Sequence, residues 1–409
     1  MSPFNLETCA RPNILALVPY RCARDDYKDD GTNVLLDANE NAYGPSVAPL
    51  AQTTDPSASE SAAPLLSQAD FLGLHRYPDP HQAPLKQSLC ELRNTHHHTK
   101  RTLGPENLFV GVGSDEAIDA VLRAFCVPGK DRILTCPPTY GMYSVSAQVN
   151  DVSIVKVPLL PAPTFALDVD AVLAALSDEA NSIKVAYLCS PGNPTGSRLA
   201  KEDVTRVLSH PTWNGIVVLD EAYVDFSPEG SSLAEWVLEW PNLIVMQTLS
   251  KAFGMAGIRL GAAFAAPPVA QLLNNIKAPY NVSSPTAALA ERAVSGEGLA
   301  TMRANVESLN AQRDRLVREL PGIPGVGRLR GGLESNFLLY EMVNAQGEPD
   351  NEVALGVYER LAEKRGVVVR FRGKEHGCLG CLRITVGTED EVSRLLEQLR
   401  GALEEVRGA

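Results

Sequence analysis

Cysteine is sparse, eight in 409 residues, which is too thin for a secreted disulfide scaffold. The one close pair, Cys378 and Cys381, has no second Cys-x-x-Cys to complete four zinc ligands, so no metal centre is expected there. Long apolar runs are missing too. The charge-free stretch from Leu260 to Ile276 holds Pro267, Pro268, Asn274 and Asn275, which rules it out as a membrane span. The opening MSPFNLETCARPN lacks the apolar core of a signal peptide, and Glu7, Asp25 and Asp26 weigh against a transit peptide. Basic charge is in deficit: 37 Lys and Arg stand against 49 Asp and Glu, a formal net charge of −12. Such a chain is a poor binder of nucleic acid or anionic lipid, so any anionic ligand must be caught by a local cationic clamp. A soluble, reduced, cytoplasmic protein without nucleic-acid or membrane partners is the expectation.

What is present is ordinary globular composition, 44% hydrophobic and 21% charged, with length enough for two or three domains. Residues 1–45 read as an N-terminal arm packing with a small domain. Residues 51–64 (AQTTDPSASESAAP) carry no Lys, no Arg and no large apolar side chain, and read as a surface loop. From Leu108 short apolar runs alternate with helical stretches, the pattern of an α/β sheet. LFVGVG is a strand. The segment after it is a helix with Ser114 at the N-cap place, Asp115 and Glu116 in the first turn, and Ile118, Val121, Leu122 and Phe125 at helical spacing. RILTC, VSIVKV, IKVAYLC, GIVVLDEAY and LIVMQTL are further strands, and such near-continuous apolar runs suit a mainly parallel sheet covered on both faces. This makes a large domain over 46–285. Beyond Pro285 come a long charged helix over 299–320, the Gly- and Pro-rich PGIPGVGRLRGG, the strand SNFLLYE, the helix EVALGVYERLAEKRG and the strands VVVRF and LRITV. A last helix opens at Thr388 with Glu391 three residues on, a capping box. These form a smaller α+β domain over 286–409.

Ligands of open α/β sheets gather outside the carboxyl ends of the strands. Three runs end in chemically loaded residues: IKVAYLC leads into Ser190-Pro191-Gly192-Asn193-Pro194, GIVVL ends at Asp220, and LIVMQTL ends at Ser250-Lys251. A Lys and an Asp at one rim suit pyridoxal phosphate, because an amine can form a Schiff base with the cofactor aldehyde while a carboxylate keeps the pyridine nitrogen protonated. Each feature alone has a plain alternative: a solvated lysine, a helix cap, a turn.

Together, SPGNPTG, VVLDEAY and TLSKAFGMAGIRLG resemble the fold-type-I pyridoxal-phosphate aminotransferases. VPY near the start, LDANENAYGPS, RYPDP, PPTYGMYSVSA and CLRITVGTEDE resemble more narrowly the histidinol-phosphate aminotransferases, over about residues 14–400 apart from a longer 51–70 loop. The resemblance implies the α/β transferase fold of type I and three catalytic residues: Lys251 as Schiff-base lysine, Asp220 on the pyridine nitrogen and Tyr223. Asn193 and Tyr223 would donate to the phenolic oxygen, with Tyr140 stacked on the ring. The cofactor phosphate would sit on the N–H groups of Asp115 and Glu116, with Ser114, Ser250 and Arg259 adding donors, provided that both acidic side chains turn away. Tyr77 in RYPDP would reach the phosphate of a neighbouring subunit, which implies a homodimer. Arg383 and Arg370 would hold anionic substrate groups, helped by Tyr20 and Asn39, since planar bidentate arginine suits both the carboxylate of glutamate and the phosphate of histidinol phosphate. Arg372 is given no role. Burial statistics alone would leave these strand arginines facing water.

The tract His96-His97-His98 lies between helix-like stretches with no carboxylate or cysteine close in sequence, and reads as a solvated loop. GVGS lacks the third glycine of a dinucleotide fingerprint. Competing functions are an aromatic amino-acid aminotransferase, a pyridoxal-phosphate decarboxylase acting on a phosphorylated amino acid, and a non-catalytic regulator. The regulator is disfavoured by the intact Lys251 and by the lack of a basic helix-turn-helix segment.

Overall fold

The computed structural model describes residues 32–46 and 75–408. Tyr20, most of the N-terminal arm and the 51–70 loop lie outside them. A seven-stranded sheet runs in the order Leu108–Val112, Leu260–Ala265, Leu243–Thr248, Ile216–Asp220, Ile183–Cys189, Arg132–Thr135, Ser153–Lys156. Leu260–Ala265 is antiparallel to both of its neighbours and every other pairing is parallel.

Side chains alternate between the two faces of each strand, and the core divides accordingly. Val217, Leu219, Leu243 and Val245 join the cluster that continues into the second sheet. Val218, Ile244 and Met246 face the opposite way and pack with Ile118, Tyr143 and Tyr187. Asp220, two residues beyond Val218, falls on that second face, under the helix Gly113–Phe125.

A second sheet of four antiparallel strands has the order Arg370–Phe371, Cys381–Thr385, Phe337–Met342, Val326–Leu329. The segment Val34–Leu35 pairs in parallel with Val367–Val368. Just beyond it the Leu36 carbonyl accepts from Thr385 N–H at 3.1 Å. Residues 37–40 are thereby carried to the mouth between the sheets. The helix Asn351–Lys364 lies on the second sheet, and two further long helices pack outward from it, Gly296–Glu319 and, between that one and Asn351–Lys364, Glu389–Gly408. The last opens with the capping box: Thr388 N–H donates to Glu391 Oε2 at 2.7 Å, and Glu391 N–H to Thr388 Oγ1 at 3.4 Å.

Two expectations need correction. The helix after the first strand of the large sheet begins at Gly113, so Ser114 sits inside its first turn and caps nothing. VVVRF is not one strand: Val367–Val368 and Arg370–Phe371 pair with different partners, which breaks the run at Val369. Within the Gly- and Pro-rich PGIPGVGRLRGG, to which the sequence assigns no element, Val326–Leu329 is a strand.

Candidate active site

A cavity of about 260 Å³ opens at the carboxyl ends of the parallel strands and is closed on the other side by the second sheet. Lys251 and Asp220 both line it. Lys251 follows the strand Leu243–Thr248; its Nζ donates to the Ala38 carbonyl at 3.1 Å and lies 5.9 Å from the centre of the Tyr223 ring. Burial, and after it the charge of Arg383, brings its pKa down to about 8. An amine in this state is neutral far more often than an exposed lysine.

Asp220 ends its strand only 3% exposed. Tyr143 OH donates to Oδ2 at 2.6 Å and Ala222 N–H to Oδ1 at 3.1 Å. Among the described residues no Lys or Arg stands within ion-pair distance of it. Burial pushes its pKa up to about 6. A carboxylate removed from water without a cation is costly, so this site is electrostatically incomplete.

No motif in the sequence assigns a role to Tyr143. It sits one turn beyond Tyr140, stacked on Tyr187 at 4.6 Å and edge-on to Tyr140 at 5.6 Å. The i, i+3 spacing of two tyrosines is the signal that could have found it.

Around these two lie most of the expected residues. Tyr223 OH accepts from Asn39 Nδ2 at 2.9 Å, and burial pushes its pKa up to about 12. Asn39 Oδ1 accepts in turn from Thr385 Oγ1 at 3.0 Å. Asn193 Oδ1 accepts from Arg383 Nη1 at 2.8 Å. Arg383 also donates to the Asp37 carbonyl, lies 5.4 Å from the centre of the Phe337 ring, and is only 4% exposed. Its burial overturns the default of a water-facing strand arginine. Arg370 is its direct cross-strand partner and lines the same cavity. Like charges directly opposite each other are destabilising unless a counter-charge offsets them, and the charge of Glu375 acts on both arginines.

The cavity's other end is formed by the start of the helix Gly113–Phe125. Gly261 lets the helix start ride directly on the neighbouring strand, because a Cβ there would overlap Gly113 C and Ser114 N. Ser114, Asp115, Ser250, Arg259 and Tyr140 line this end, where the first N–H groups of a helix favour an anion. The expectation that both acidic side chains turn away holds for Glu116 only. Glu116 accepts from Val112 N–H and from Asn281 Nδ2 at 3.1 Å, and does not line the cavity. Asp115 stays in it, because Arg259 Nη2 approaches its Oδ2 at 3.3 Å and Tyr140 OH its Oδ1 at 3.3 Å.

Tyr77 is not brought to this cavity. It is 80% exposed and stacks on Tyr280 at 4.6 Å. The histidine tract is held from its backbone: Glu235 accepts from the N–H groups of His96 and His98. Among the described residues no cluster of three or more His, Cys, Asp or Glu could hold a metal, and no helix is long and apolar enough to cross a membrane.

The chain belongs to the class I and II aminotransferases, whose family pattern matches residues 32–399. Within that class it is 48% identical over 404 residues to the histidinol-phosphate aminotransferase of Schizosaccharomyces pombe, covering 98% of each chain. It is 44% identical over 408 residues to that of Saccharomyces cerevisiae, again covering 98% of each. Its fold matches that of histidinol-phosphate aminotransferase from Sinorhizobium meliloti in complex with pyridoxal-5'-phosphate, with a TM-score of 0.79, 23% identity and 98% of each chain covered. The architecture is that of the fold-type-I enzymes.

Proposed function

We propose that this chain is a transaminase that interconverts L-histidinol phosphate plus 2-oxoglutarate with imidazole-acetol phosphate plus L-glutamate, in histidine biosynthesis, with pyridoxal 5'-phosphate as cofactor. One observation carries the reading: a depressed lysine, a buried carboxylate without a cation and two opposed arginines share one cavity. The residues fit the cofactor. Asp220 lacks the cation that a protonated pyridine would supply, and the Gly113–Phe125 helix start with Ser114, Ser250 and Arg259 provides phosphate donors at the opposite end. When bound, the cofactor supplies a carbonyl that takes up the amino group and a cationic ring that withdraws electrons.

The protein does the rest. Lys251 anchors the cofactor and, once freed, moves the substrate's Cα proton; a pKa about 8 suits an amine that must both take and return it. Asp220 keeps the ring nitrogen protonated, and Tyr143 and Ala222 N–H hold the carboxylate in place. Asn193 and Tyr223 would hydrogen-bond the phenolic oxygen and Tyr140 would cover the ring; the N–H groups of Asp115 and Glu116 would hold the phosphate once the Asp115 carboxylate, now held in the cavity by Arg259 and Tyr140, turns away. Arg383 and Arg370, with Asn39 and Tyr20, take the carboxylate of glutamate or the phosphate of histidinol phosphate. The two reactants thus share one clamp in turn. We assign residues 1–45 to the arm, 46–285 to the large domain and 286–409 to the small one. The active unit is a cytoplasmic homodimer in which the exposed Tyr77 reaches the partner's phosphate site.

Separate half-reactions test this reading. The holoenzyme is mixed with histidinol phosphate, phenylalanine or glutamate, and the cofactor absorbance is followed. Conversion by histidinol phosphate and glutamate is expected; conversion by phenylalanine but not histidinol phosphate would overturn the substrate and leave the cofactor standing. Lys251→Ala should abolish the absorption band of covalently anchored cofactor, and a retained band would exclude that lysine as the anchor.

A further inference from the structure

Beside the active site lies a second cleft of about 430 Å³, which shares Tyr140, Asn193 and Arg372 with it as common walls. Two parts of the fold build it. Lys156 ends the edge strand Ser153–Lys156 of the large sheet, and Arg372, Lys374, Glu375 and His376 belong to the loop between Arg370–Phe371 and Cys381–Thr385.

Charge here runs against the rest of the molecule. The chain carries −12 overall, yet Lys156, Arg372 and Lys374 line this cleft with Glu375 as the only acidic side chain. Arg372 Nη1 is paired with Glu375 Oε1 at 2.8 Å, so its charge is largely cancelled. Lys156 and Lys374 are exposed and make no ion pair with any described residue. Neither buries core surface, so packing does not account for them. A concave surface of one sign focuses the field and concentrates counter-ions. Screening over roughly 8–10 Å at ordinary salt lets such a cluster outweigh the distant negative surface.

We propose that this cleft is the electrostatic entrance for dianionic substrates. Lys156 and Lys374 draw a doubly charged 2-oxo acid or phosphorylated amine toward the arginine clamp, and Glu375 sets how much of the Arg372 charge the incoming anion meets. The inference takes the identity of its reactants from the transaminase reading, but its mechanism needs only an anionic substrate.

The test uses the holoenzyme carrying the amino group, reacted with 2-oxoglutarate at low and high salt. At low ionic strength the double variant Lys156→Gln/Lys374→Gln should lower the second-order rate constant about three- to tenfold, with the deficit closing as salt is added. Glu375→Gln should act with the opposite sign and raise it. Three results would overturn the inference: an unchanged constant in the double variant, a deficit that persists at high salt, or a lowered constant in Glu375→Gln. This rate constant needs only that 2-oxoglutarate accepts the amino group. A failure with histidinol phosphate would therefore sink the proposed substrate and leave this comparison in force.

Discussion

Two adjacent carboxylates, Asp220 and Glu221, are both buried, and the fold treats them in opposite ways. Glu221 is saturated: it accepts from Leu233 N–H at 2.6 Å, Ser232 Oγ at 2.7 Å and Gln247 Nε2 at 2.8 Å. Gln247 accepts in turn from Arg93 Nε at 2.7 Å, and Arg93 is paired through both Nη atoms with Asp225 at 2.8 and 3.0 Å. That network closes on itself. Asp220 has a hydroxyl and one N–H, and no cation within ion-pair distance among the described residues. Buried polar groups are rarely left short of partners, so the contrast separates a carboxylate that holds the fold from one that waits for a ligand.

The largest effects should come from the two sides of this contrast. Asp220→Asn is expected to lower transamination by about 10²–10⁴-fold, the 3–5 kcal/mol of a broken buried pair. The same change should stabilise the cofactor-free protein. The folded-state pKa is raised from 3.8 to about 6, so the folded state binds the proton more tightly and stability falls as pH rises through that window. Urea unfolding of the cofactor-free protein at pH 4 and pH 7 should show that decline in the wild type and a smaller one in Asp220→Asn, the remainder coming from Glu221 and Glu375, whose pKa values burial also pushes up. The gain at pH 7 should be on the order of 3 kcal/mol. A variant less stable at pH 7 would break the comparison, because Asp220 would then be structural in the way Glu221 is.

Asp225→Ala leaves the buried Arg93 without its carboxylate and should cost about 3–5 kcal/mol of stability. The loss should be equal with and without cofactor, as measured by denaturant titration of both forms. Lys251 gives an effect that depends on pH. Its pKa is about 8, so cofactor capture by the cofactor-free protein should rise about tenfold per pH unit below that value and level off above it. Stopped-flow absorbance reads this, and a rise continuing to pH 10 would show an unperturbed amine. The smallest effect is set by an exposed pair. Arg206 and Asp170 approach at 2.5 Å on the surface, and Arg206→Gln should change stability by less than about 1 kcal/mol.

Much of this was legible in the chain. Alternation along GIVVLDEAY puts Asp220 and Glu221 on opposite faces, and the polar residues that end three apolar runs do gather in one cavity. Other features were not legible, for physical reasons. Leu260–Ala265 is a central strand made largely of Gly and Ala, residues with little strand propensity, and its smallness is what admits the helix start above it. Ser114 has the composition of a cap because short polar residues favour that place, while the helix begins two residues earlier, at Gly113 with Val112 as its cap position. VVVRF has the composition of one strand, and only its two different partners break it.

The order of apolar runs, their polar ends and the capping box are local properties, set by side-chain period and by backbone groups within a few residues of each other. From them alone follow the α/β class and the roles open to Lys251 and Asp220. Whether a charge is paired depends on groups far away in sequence. Only the tertiary structure could therefore saturate Glu221, leave Asp220 short of a cation, set Arg370 against Arg383 and depress the pKa of Lys251.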